Sequence, residues 1–130
     1  MLEGFHVKQT YKISDIATLT GLSIPTLRYY EEIGLLHPAR NATNYRVFTD
    51  DDLRWIAFIK RAKATGMSLT KIIAYARLRE KGDSTILDRI NILVEQEMIL
   101  QLEQDKLQAH ITFLQDKKAY YENLLDDTKK

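Results

Sequence analysis

Arg28-Tyr29 and Tyr45-Arg46 are two places where a guanidinium stands beside a phenol. Guanidinium groups reach guanine edges or phosphate oxygens, and a tyrosine hydroxyl reaches phosphate. Arg40 precedes the second pair, and Arg61 and Lys63 add positive charge further on. Ser14 and Thr26 are small hydroxyl residues near the starts of two short helical stretches. With Tyr30, these residues form the expected contact set for double-stranded DNA. Several of them also have a packing explanation. Tyr30 is expected mainly in the core, as is Trp55. Tyr45 divides between phosphate contact and cross-strand packing. Arg61 and Lys63 close a helix, where the dipole favours cations.

Side chains of this kind read DNA only if a helix carries them into the major groove. Residues 11–48 are patterned for that. Ser14 is placed to cap a first helix from Asp15 to about Thr20, and Gly21 supplies a left-handed turn. Ser23 caps a second helix, with Pro25 in its first turn, where a missing N–H costs nothing. That helix runs to about Ile33 and stops at Gly34. Leu27 and Tyr30 face inward with Ile16, Leu22 and Ile33. Residues 35–48 read as a loop and two short strands, with Asn44 taking a positive φ in the turn. Thr49 caps a third helix, whose first turn is acidic through Asp50, Asp51 and Asp52. Gly66 ends it, and Ser68 caps a fourth helix that closes near Lys81-Gly82.

After Gly82-Asp83-Ser84 the chain runs to Lys130 without Gly or Pro. Ile86, Leu93, Leu100, Leu107, Leu114 and Tyr121 stand seven apart. A companion row reads Ile90, Glu97, Gln104, Ile111, Lys118 and Leu125. This is a coiled-coil seam with one unbroken row and one interrupted by polar residues. A helix of about forty residues is about 60 Å long and needs a partner helix to cover its stripe. No second long helix is expected in the chain, so a homodimer follows. In an antiparallel pair whose facing residue numbers sum to 211, every polar seam residue meets an apolar one: Glu97 meets Leu114, Gln104 meets Leu107 and Lys118 meets Leu93. The expected organisation is 1–82, a winged helix-turn-helix domain, and 83–130, a dimerisation helix. The fold class is mainly α.

The charge follows the same division. Through Gly82 there are 13 Lys/Arg against 8 Asp/Glu, and from Asp83 there are 6 against 10, leaving +5 and −4 within the overall +1. Only the front half suits a polyanion. The chain has no cysteine, which excludes disulfides and thiolate metal sites. His6, His37 and His110 are far apart and read as surface residues. No nucleophile–base set, metal-ligand spacing or Gly-rich phosphate loop is found. An enzyme, a metal and a cofactor are therefore not expected. No apolar run approaches the ~18 residues of a membrane span, and the N-terminus lacks signal-peptide layout. The expected location is the cytoplasm, with the nucleoid.

These residues resemble the MerR family of bacterial transcription regulators. The matching pieces are Ile13-Ser14-Asp15-Ile16-Ala17, Gly21-Leu22-Ser23, Thr26-Leu27-Arg28-Tyr29-Tyr30-Glu31 and Gly34-Leu35-Leu36. Tyr45-Arg46-Val47-Phe48, Asp52-Leu53 and Gly66-Met67-Ser68-Leu69 follow. The resemblance covers about residues 11–80. It implies a winged-helix domain and an antiparallel coiled-coil homodimer on a palindromic operator. It also implies a long promoter spacer, distorted so that RNA polymerase can use it. Pro25 stands where relatives often carry a basic residue, and Asn44 where Gly is common. The absence of cysteine and the end at residue 130 fit a short form without a ligand-binding domain, and no effector is carried over. The residues admit two other readings: a protein-binding coiled-coil module, and a ligand site near Tyr75, Tyr120 and Tyr121 against a partner's helix.

Overall fold

The computed structural model describes residues 9–128; the N-terminal stretch with His6 lies outside the described residues. Its elements are β1 (Thr10–Tyr11), α1 (Ile13–Thr20), α2 (Ile24–Glu32), β2 (Ala39–Arg40), β3 (Arg46–Thr49), α3 (Asp50–Ala64), α4 (Leu69–Lys81) and α5 (Ile86–Thr128), with a short 3-10 turn at Asp83–Thr85. The chain divides into two compact units, the first ending at Arg89 and the second beginning at Ile90. The first unit reaches past Gly82 for a local reason. Thr85 Oγ1 donates to the Leu78 carbonyl at 2.5 Å, and Arg89 Nη2 donates to the Gly82 carbonyl at 3.0 Å. Leu78 is in the last turn of α4, whose carbonyl groups the helix leaves unpaired, and Gly82 is the residue that caps it.

Helix ends follow the local chemistry. Ser23 Oγ accepts from the Thr26 N–H at 3.1 Å, and Ser68 Oγ from the Lys71 N–H at 3.2 Å. Thr49 and Asp52 cap α3 reciprocally: Thr49 Oγ1 accepts from the Asp52 N–H, and Asp52 Oδ2 from the Thr49 N–H. The first helix differs from the sequence expectation. It starts at Ile13, and Ser14 lies within its first turn instead of capping it. The cap is made by Asp15, whose carboxylate accepts from the Lys12 N–H at 2.9 Å. A carboxylate there also meets the positive end of the helix.

Gly21 follows α1 at φ +75° and its N–H bonds to the Ala17 carbonyl at 2.9 Å. Lys60, on α3, donates from Nζ to the Thr20 carbonyl beside it. A Cβ at Gly21 would lie 3.1 Å from that Nζ. Left-handed backbone costs a residue with a Cβ ~1–2 kcal/mol. Gly21→Ala is therefore expected to destabilise the first unit by about that amount in urea unfolding. A neutral result would mean that the α1–α2 turn relaxes freely.

The strands form a three-stranded antiparallel sheet in the order β1-β3-β2. The pairing of β2 and β3, with Asn44 at φ +64° in the turn between them, is the expected hairpin. The additional strand β1 places Thr10 opposite Thr49 and Tyr11 opposite Phe48. Tyr11 donates its hydroxyl to Asp50 at 2.7 Å, and this bond to a carboxylate pushes its ionisation above the usual tyrosine range.

The core of the first unit gathers Ile16, Leu27, Tyr30, Leu35, Leu36, Phe48, Ile56, Ile59, Met67 and Ile72. Trp55 is buried as expected and donates Nε1–H to the Leu35 carbonyl at 2.8 Å. It stacks on Phe58 and Tyr75, with the Arg79 guanidinium 4.4 Å from its ring centre. The second unit is the long helix alone. At about 1.5 Å per residue, the 43 residues of α5 span about 65 Å. Ile90, Leu93, Leu100, Leu107, Ile111, Leu114, Tyr121 and Leu125 are exposed along it, and so is Gln104. Ile86, at the start of α5, is exposed as well. Tyr120 and Tyr121 touch edge to face.

Candidate nucleic-acid interface

Three elements frame a cleft of about 610 Å³: the first turn of α1, the middle of α2 and the β2–β3 hairpin. Ser14, Arg28, Arg40, Tyr45 and Arg46 all line it. The structure thus brings together five of the residues expected to touch DNA, drawn from three separate stretches of sequence. Lys12 joins them, so four cationic side chains converge on one concave surface. The N-terminus of α1 also opens onto the cleft, where the Asp15 carboxylate lines the surface and meets the partial positive charge of the helix.

The two faces of α2 separate cleanly. Leu27 and Tyr30 are buried, while Arg28 and Tyr29 are exposed. Two residues of one turn of helix thus anchor the element and two present it to solvent. Tyr29 is 47% exposed and Tyr45 71%, so both phenols can meet a macromolecular partner. Tyr30, at 2% exposure, stands behind the surface. Its ring lies 5.9 Å below the Lys63 ammonium. Arg61 and Lys63 occupy the last turn of α3, exposed and outside the cleft. Thr26 lies at the start of α2, where its backbone N–H is held by Ser23.

The hairpin is stiffened by its own turn. Asn41 Oδ1 accepts from the backbone N–H groups of Thr43 and Tyr45, each at 3.0 Å. Arg40 Nη1 donates to the Asn44 carbonyl at 3.4 Å. Arg40 and Arg46 stand directly opposite each other across the two strands. Both bond to Glu31 of α2, Arg46 Nε at 2.5 Å and Arg40 Nη2 at 3.2 Å.

Sequence reasoning missed two members of this constellation. Lys12 carried a signal, a cation immediately before the first helix. Glu31 carried none beyond its place in the Arg-Tyr-Tyr-Glu string, because its partners lie on other elements. Of the histidines, His37 pairs with Glu80 at 3.2 Å on the surface and His110 is exposed on α5. Among the described residues no cluster of His, Cys, Asp or Glu could hold a metal ion, and no helix is long and apolar enough to cross a membrane.

Known proteins carry the same pattern. Residues 11–78 match the model of the MerR helix-turn-helix family of regulatory proteins. The HTH-type transcriptional regulator AdhR of Bacillus subtilis (strain 168) is 39% identical over 85 residues, covering 65% of this chain and 61% of AdhR. The chain therefore spans less than two thirds of AdhR. An uncharacterized HTH-type transcriptional regulator of Haemophilus influenzae is 34% identical over 114 residues, covering 87% of this chain and 84% of that one. Among solved structures, HiNmlR, a MerR family regulator lacking the sensor domain and bound to promoter DNA, superposes with a TM-score of 0.70. It is 34% identical, over 88% of this chain and 87% of that chain. With the helix-turn-helix, the wing and the long final helix all in place, the chain belongs to the MerR family of regulatory proteins.

Proposed function

We propose that the chain is a sequence-specific transcription regulator that binds a palindromic operator as a homodimer. The observation that carries this reading is the cleft, where Lys12, Arg28, Arg40 and Arg46 converge from three elements with Tyr45 at its rim. Four cations on one concave surface follow a phosphate backbone, and Arg28 on the exposed face of α2 is placed to reach a base edge. The solved relative bound to promoter DNA supports this.

Homodimerisation proceeds through α5. Its exposed row of Ile, Leu and Tyr side chains repeats every seven residues, the spacing of a two-stranded coiled coil. The antiparallel register in which facing numbers sum to 211 places Gln104 against Leu107. The proposed domain division puts DNA contact in residues 1–82 and pairing in 83–130. Arg61 and Lys63, with Tyr29, extend the phosphate grip beyond the cleft. Two units gripping one duplex bend and retwist the DNA between them, at a cost of about 1–6 kcal/mol that these contacts repay. RNA polymerase then reads a promoter whose spacer has been reshaped. The protein acts in the cytoplasm, at the nucleoid.

Selection of bound sequences from a random duplex pool at about 150 mM salt, where non-specific phosphate binding is weakened, tests this reading. An enriched inverted repeat is expected. A pool that stays random would transfer the lead to a protein-binding role for the helix-turn-helix.

Arg28→Ala is expected to weaken operator binding by ~1–3 kcal/mol and to relax preference at one base position in each half-site. Repeating the selection with the variant checks this. A uniform loss with the preference intact would assign Arg28 to phosphate instead.

A further inference from the structure

The β2–β3 hairpin, the wing of the helix-turn-helix unit, is tied to α2 by the Glu31 carboxylate. Arg40 and Arg46 face each other across the β2–β3 ladder, and like charges directly opposite on a sheet repel. Glu31 stands between them. Its Oε1 accepts from Arg46 Nε at 2.5 Å and its Oε2 from Arg40 Nη2 at 3.2 Å. Each carboxylate oxygen thus holds one guanidinium. Glu31 and Arg46 are both about three-quarters buried, with side-chain exposures of 23% and 24%. The Arg46 bond uses Nε, and Arg46 also lines the cleft. Glu31 itself is on α2, three residues after Arg28 and on the same helix.

We propose that Glu31 is the positioning residue of the DNA-contact surface, setting the wing arginines at a fixed distance from Arg28 and so making the phosphate grip specific for correctly shaped operator DNA. This rests on the DNA-binding reading above. The physical reason is that a carboxylate beside a phosphate track opposes DNA through its charge. Its net effect on binding is favourable only if it holds the guanidinium groups in the geometry that the operator presents. A pair of loose arginines would still bind phosphate, but on any duplex equally well. The clamp therefore lowers affinity for arbitrary DNA while raising it for the operator, which is a gain in discrimination.

The test measures binding of the full chain and of Glu31→Gln to operator and to non-operator duplexes across a range of salt. Glu31→Gln keeps the shape of the side chain and removes its charge. Operator affinity is expected to fall and non-operator affinity to rise, so that their ratio drops about tenfold, the size expected when a charge-assisted bond is lost. Glu31→Asp retains the charge but is too short to span both guanidinium groups. It is expected to lower the ratio while leaving non-operator affinity at the level of the parent. Unchanged thermal midpoints would separate positioning from folding, and Glu31→Asp serves if Glu31→Gln does not fold. If both duplexes shift by the same factor in Glu31→Gln, or if Glu31→Asp keeps the parental ratio, Glu31 contributes charge alone and the proposal is overturned. If the parent chain itself prefers no sequence, it is the DNA-binding reading that fails.

Discussion

A chain ended after Arg89 is expected to bind a palindromic operator roughly a hundred- to ten-thousand-fold more weakly than the full chain, while binding a single half-site equally well. The first compact unit ends at Arg89 and holds the entire cleft. Removing the residues from Ile90 onward takes away nearly all of the exposed apolar seam and none of the proposed contact side chains. What disappears is the linkage. When two units are joined, the second half-site is engaged from a local concentration in the millimolar range. When they are separate, each half-site is filled from bulk solution. Fluorescence anisotropy with labelled palindromic and half-site duplexes, supported by sedimentation to establish oligomeric state, reads the effect directly. Equal affinity of the two chains for the palindrome would sink the homodimer proposal.

The second large effect is on folding. Phe48→Ala is expected to cost about 3–5 kcal/mol, the range for truncating a buried aromatic side chain. Phe48 is 1% exposed and lies on β3, the strand paired on both sides. Its backbone faces Tyr11 of β1 while its ring joins the core. Domains of this size are commonly stable by about 5–15 kcal/mol, so the loss is a large share of the total. Urea unfolding followed by Trp55 fluorescence measures it. Tyr45→Ala, three positions earlier and 71% exposed, is the matched control and should change stability little. A loss at Phe48 no larger than at Tyr45 would mean that the wing is not integrated into the core.

Helix starts were legible because capping is local. Ser23, Thr49 and Ser68 each bond a backbone N–H only three residues onward, and such patterns can be read along the chain. The turn at Asn44 was legible for the same reason. Ser14 was misjudged as a cap because it competes with Asp15, whose carboxylate reaches back to Lys12 and starts the helix earlier. The strand β1 was not legible. It has two residues, and its support comes from Phe48, Thr49 and Asp50, with the Tyr11–Asp50 bond joining positions 39 apart. Of the candidate interface, the cations and phenols could be recognised by type, whereas the convergence of Ser14, Arg28, Arg40, Tyr45 and Arg46 on one cleft could not. Glu31 illustrates the limit. Its bonds reach nine and fifteen positions away, and a carboxylate within a basic surface looks out of place until its two partners are seen.

The last residue of β3 is also the cap of α3: Thr49 ends the strand and Asp50 begins the helix with no residue between them. Strand and helix are thus welded at a joint without slack. A loop would absorb a small rotation of the wing through soft backbone torsions. Here the reciprocal Thr49–Asp52 bonds restrict the torsions at the joint, so the same rotation is passed toward the axis of α3. Mechanically the wing is the short arm of a lever whose long arm is α3. A load at the hairpin tip is therefore felt by the helix that carries Trp55, Ile56 and Ile59 into the core.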